Sequence, residues 1–192
     1  MSTKKSKDKT YSSHNDFGNG QRVHELFQKS KEKLFNVNQW SKLPGITASF
    51  QLFGPKGEKR MTDRPQINDY IKIVLPGPFP ENWVIVNNIV ENEQLANFTV
   101  SPSESPADKW LQSEEIEHFF IKEATSTFQV QIKGNKIYAH EIGKNEAINN
   151  EGYEAGKRKL INTLLAEGAW AGFQAYQWEK LLDYLVHKIE AD

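Results

Sequence analysis

The chain has 192 residues, and 24 Lys+Arg against 25 Asp+Glu give a formal net charge of −1. That balance excludes the broad basic field by which whole-surface nucleic-acid or anionic-membrane binders work. The absence of cysteine excludes disulfides, thiolate metal sites and cysteine nucleophiles.

The length predicts one domain, and 11 Phe, 6 Tyr and 5 Trp supply material for a core. Residues 1–20 are rich in Lys, Ser, Asn and Gly with little to bury, which predicts a disordered basic tail ahead of a single domain over 21–192. Lys4, Lys5, Lys7 and Lys9 give that tail the character of an arm for RNA, DNA or an acidic partner. The plainer reading is a solubilising tail. No apolar run follows these lysines, as a secretory leader would require, and no stretch reaches about 20 apolar residues. The expectation is a cytoplasmic protein without a membrane span.

Val23, Leu26, Phe27, Ser30 and Leu34 recur at helical spacing and predict an amphipathic helix over 21–35. Asn36 to Trp40 ends it, and Pro44-Gly45 turns the chain. The signals then become β: 46–53 alternates, 70–75 sets Ile71, Ile73 and Leu75 on one face, 83–90 is apolar on both faces, and 97–100 returns. Pro76, Pro78 and Pro80 lie between the second and third strands and stiffen the loop that carries Phe79. Ser105 and Pro106 mark a helix start, and Ile116, Phe119 and Phe120 follow on one side.

The clearest local signal is a hairpin, in which 126–133 and 136–143 flank the two-residue loop Gly134-Asn135. That loop sets Ile132 opposite Ile137, Val130 opposite Ala139 and Phe128 opposite Glu141, with this face inward. The other face pairs Gln131 with Tyr138, Gln129 with His140 and Thr127 with Ile142. Two helices close the chain, over 154–166 and 173–190, with Gly168 to Phe173 as a tight corner between them.

No phosphate-binding glycine loop, nucleophile elbow or paired metal motif occurs. His140 and Glu141 are neighbours on a strand and face opposite ways, which argues against an acid/base pair. His118 shares a helix face with Glu114 but lacks companions at metal-binding spacing. No motif implies a cofactor or a metal.

The expected fold is α+β: an N-terminal helix, a small antiparallel β-barrel or curled sheet, and a C-terminal helical hairpin. The expected function is a non-catalytic protein-binding or assembly module that presents Phe79, Trp83, Trp170 and Phe173 to a protein partner or a second copy. One alternative is a single-stranded nucleic-acid binder built on a small barrel, with Lys4, Lys5, Lys7 and Lys9 as its arm, which the charge balance disfavours. Another is a metal- or acid/base-dependent hydrolase using His118 and His140.

Overall fold

The computed structural model describes residues 7–18, 20–45, 48–61, 64–76, 81–107, 122–146 and 169–191. Its described residues form strand β1 (Lys7–Asp16), helix α1 (Gly20–Phe35) and a 3-10 helix (Val37–Lys42). Strands β2 (Ser49–Phe53), β3 (Tyr70–Val74), β4 (Asn82–Glu91) and β5 (Leu95–Ser103) follow. Strands β6 (Thr125–Lys133) and β7 (Lys136–Glu146) and helix α2 (Ala169–Leu185) complete the order.

The strands make one antiparallel sheet in the order β1-β7-β6-β5-β4-β3-β2. It is open, with β1 and β2 as its two edges, so the barrel expectation is corrected to an open α+β sheet. The β6–β7 hairpin has the register that its two-residue loop dictates, and Gly134 takes the positive φ of 58° that such a loop requires.

Three further corrections follow from the chain path. Residues 7–16 are not tail: they pair with β7 along the sheet edge, and Ser13 Oγ donates to Asp183 at 2.6 Å. Helix α1 is therefore the second element, set between the two edge strands. The run expected as an inter-helix corner begins α2 at Ala169, and α2 ends at Leu185 instead of reaching Glu190. The expected helix over 154–166 and the Phe119–Phe120 segment lie outside the described residues.

The core lies between the sheet and the helices. Helix α1 buries Val23, Phe27, Ser30 and Leu34 along one stripe, and α2 buries Leu181, Leu182 and Leu185. Between them sits an aromatic cluster: Phe128 lies 5.1 Å from Trp40, 5.4 Å from Phe98 and 5.2 Å from Trp178, measured between ring centroids. Trp40 is anchored by its indole Nε1, which donates to the Lys33 carbonyl at 3.0 Å.

Candidate functional site

One row of inward side chains crosses four strands: Tyr11 on β1, Glu141 on β7, Phe128 on β6 and Phe98 on β5. Glu141 is the anomaly in that row, a fully buried carboxyl in an otherwise aromatic row. Ser126 donates its hydroxyl to Oε1, while Oε2 makes no hydrogen bond. Burial pushes the Glu141 pKa up to about 7, the nearby Glu146 charge adds to the rise, and Ser126 and Lys9 oppose it. Tyr11 is also raised, by its burial first and then by Glu141 and Glu146.

Glu146 reaches the same interior by a change of strand parity. Along β7 the buried positions are 137, 139, 141 and 143, and strict alternation would then bury 145. Instead Asn145 adopts a left-handed φ of 54°, the β1–β7 register slips between Lys7 and Lys9, and Glu146 turns inward. Gly143 permits this, because a Cβ there would occupy the place of the Glu146 carboxylate. Gln174 Nε2 on α2 approaches Glu146 Oε1 at 3.5 Å. Lys9 Nζ stands 3.7 Å from Oε2 and donates to Gln174 Oε1 at 3.4 Å. Burial raises the Glu146 pKa, against the pull of Lys9 and Gln174.

Of these groups Ser126, Glu146 and Gln174 border a cavity of about 80 Å3, partly open to the surface, between the sheet and α2. Its walls are mainly apolar, with Trp40, Phe50, Phe128 and Trp178 as the aromatic part and Ile71, Ile73, Val84 and Val100 as the aliphatic part. Polar groups gather at one end: Ser101, Thr125, Ser126, Glu146 and Gln174. The Trp178 indole Nε1 and the Glu146 Oε2 are both buried without a hydrogen bond. An apolar space with a few converging polar groups and a perturbed carboxyl is the usual chemistry of a small-molecule site.

The residues singled out from sequence distribute differently. Trp83 on β4 is half-buried against Phe53 on β2 at 4.9 Å between rings, with the Lys72 ammonium 5.8 Å from its ring centroid. Phe79 lies outside the described residues, as do Lys4, Lys5 and His118. Trp170 and Phe173 are on the α2 backbone near its start, and their side chains lie outside the described set. Lys7 lies on β1 in register with Glu146. Lys9 is no free arm, because it is committed to Glu146 and Gln174.

His140 lies on the opposite face of β7 from Glu141. Its Nδ1 bonds Ser12 Oγ at 2.8 Å, and burial and then Lys133 hold its pKa below the ordinary value. Among the described residues no group of three or more His, Asp or Glu is placed to hold a metal ion. No described helix is long and apolar enough to cross a membrane.

The sequence-based reading missed Glu146, Gln174 and Trp178 as a group. Trp178 lies within the helix expected over 173–190, and Glu146 lies between the expected strand 136–143 and the expected helix 154–166. The one signal in the sequence is Asn145, a residue type that tolerates positive φ.

No family model matches the chain, and no curated protein matches it in sequence. In fold it is similar to hypothetical protein jhp0584 from Helicobacter pylori, with a TM-score of 0.58 at 8% identity over 93% of this chain and 88% of that one. Norcoclaurine synthase from Thalictrum flavum superposes with a TM-score of 0.47 at 12% identity over 97% of this chain and 91% of that one. The likeness to the Helicobacter pylori protein is one of fold.

Proposed function

We propose that this protein binds a small, mainly apolar molecule in the cavity between the sheet and α2. The observation that carries the reading is the cavity itself: four aromatic rings and a set of aliphatic side chains line it, together with the buried Glu146 carboxyl. Protein interiors are ordinarily packed without such space, so an apolar hollow that opens partly to the surface is a feature to be filled. At about 80 Å3 it admits several waters or a compact organic group.

The test is a titration with toluene, followed by amide chemical shifts and by thermal unfolding. Binding is expected to move resonances of the lining residues and to raise Tm. Ala124→Leu, which projects a larger side chain from a buried position in the wall, is expected to abolish both effects while leaving the chain folded. Toluene without effect on wild-type shifts or Tm removes the reading.

Contact with a protein partner or a second copy is the second reading. The Phe53–Trp83 pair favours it: a large aromatic surface, only half-buried at Trp83, close to the edge strand β2. Phe79, Trp170 and Phe173 belong to the same proposal as further anchors. Trp83→Ala is expected to weaken self- or partner association by at least about 2 kcal/mol if this reading holds. Unchanged sedimentation and pull-down behaviour counts against it.

A further inference from the structure

We infer that the molecule taken by this cavity carries a hydroxyl group, bound between the Glu146 carboxyl and the Trp178 indole. The inference rests on the ligand-binding reading above and specifies the chemistry of its polar end. Trp178 and Glu146 both line the cavity, and Nε1 of one and Oε2 of the other are buried with no hydrogen bond. Native proteins rarely leave such atoms unpaired, because each costs about 1–3 kcal/mol.

The two groups belong to one neighbourhood. Gln174, which reaches Glu146 Oε1 at 3.5 Å, sits one helical turn before Trp178 on α2. Lys9 Nζ, at 3.7 Å from Glu146 Oε2, supplies charge without a hydrogen bond. The carboxylate oxygen asks for a donor, and the indole N–H asks for an acceptor. A hydroxyl meets both requirements: it donates to Glu146 and accepts from Trp178. An ammonium offers no acceptor to the indole, and a carboxylate places a second negative charge beside Glu146. The rest of the ligand faces the aromatic and aliphatic wall, so its body is a single ring or a short branched chain.

The experiment compares toluene, benzyl alcohol and benzylamine on the full chain by calorimetry and amide chemical shifts. Benzyl alcohol is expected to bind at least tenfold more tightly than toluene, and benzylamine more weakly than the alcohol. Trp178→Phe keeps the ring and deletes the N–H, and Glu146→Leu deletes the acceptor. Each is expected to bring the alcohol within about threefold of toluene, with both ligands measured on the same variant. Equal binding of alcohol and toluene to wild type overturns the hydroxyl assignment and leaves the apolar cavity standing. A preference for benzylamine overturns it in favour of a cation. Failure of all three to bind removes the underlying ligand-binding reading as well, with buried water as the partner of both atoms.

Discussion

Glu141 stands directly opposite Phe128 in the β6–β7 pair, a fully buried carboxyl across from an aromatic ring. Its folded-state pKa of about 7 lies above the ordinary 4.5, so folding favours the protonated form. The stability this confers is complete below about pH 4.5 and is lost as pH rises through about 7. A shift of that size corresponds to roughly 3 kcal/mol. Glu141→Gln keeps an oxygen for the Ser126 hydroxyl and cannot ionise. The variant is expected to gain on wild type steadily between pH 4.5 and 7 in urea unfolding. A difference between the two that does not change with pH contradicts the assignment. Ser126→Ala, which removes the bond that favours the carboxylate, is expected to raise the Glu141 pKa further, as read by carbon chemical shifts.

Removal of residues 1–16 is expected to destabilise the fold by about 3 kcal/mol or more, or to prevent folding. Strand β1 pairs with β7 from Lys7 to Asp16. It also carries Ser13 to Asp183 at 2.6 Å, and Asn15 Nδ2 to the Val186 carbonyl at 3.0 Å. Its loss strips the edge of β7, opens Glu141 and Glu146 to solvent on one side and invites association through the bare strand. Denaturant unfolding with sedimentation checks both effects. An unchanged midpoint in a monomeric truncated chain shows that β1 is dispensable.

This strand also shows where the sequence became illegible. Hydrophobic periodicity reads strands that place apolar side chains on a core, and KDKTYSSHND offers only Tyr11 for that purpose. Its inward positions are instead answered by charges from elsewhere: Lys9 by Glu146, and Ser13 by Asp183 and Lys188. The hairpin was legible to the residue because loop length fixes register, and α1 because Val23, Phe27, Ser30 and Leu34 keep one stripe. The cavity was not. Its polar end depends on Asn145 shifting the strand parity and on α2 bringing Gln174 and Trp178 across 28 and 32 residues of chain. No local pattern encodes that meeting.

Ser41→Ala and Asn38→Ala are each expected to cost about 1–3 kcal/mol, more than surface changes of the same size. Strand β2 is a sheet edge whose outward backbone groups need partners. The 3-10 helix supplies them from side chains. Ser41 Oγ accepts from Phe50 N–H at 2.7 Å and donates to the Phe50 carbonyl at 3.1 Å. Asn38 Oδ1 accepts from Leu52 N–H at 2.8 Å, and its Nδ2 donates to the Arg60 carbonyl at 3.1 Å. Chemical denaturation of both variants, with hydrogen exchange at the Phe50 and Leu52 amides, gives the measurement. Losses below about 0.5 kcal/mol in both would mean that water replaces these partners without penalty.

His187 governs the acid limit of the contact between α1 and the segment after α2. Lys33 Nζ donates to its Nδ1 at 3.0 Å, so that nitrogen carries a lone pair and the proton resides on Nε2. The Nε2–H points at the Leu26 carbonyl at 2.9 Å, with Ser30 Oγ at 3.0 Å. Protonating Nδ1 displaces the lysine and sets two cations together, with Glu190 as the nearby counter-charge. Burial first, and Lys33 as well, therefore hold the His187 pKa below the ordinary 6.5, against the bonds to Leu26 and Glu190. The unfolded chain takes up the proton first as pH falls, so this stability is present above about 6.5 and declines below it. His187 has a left-handed φ of 61°, which asparagine tolerates, so His187→Asn isolates the titration from backbone strain. The variant is expected to be less stable than wild type at pH 8, with the gap narrowing steadily toward pH 5 in parallel urea titrations. Lys33→Gln, which removes the opposing cation, is expected to raise the His187 pKa read from imidazole chemical shifts. A His187 pKa at or above 6.5 in the wild-type protein, or a stability gap that widens toward acid, rules out the neutral clamp.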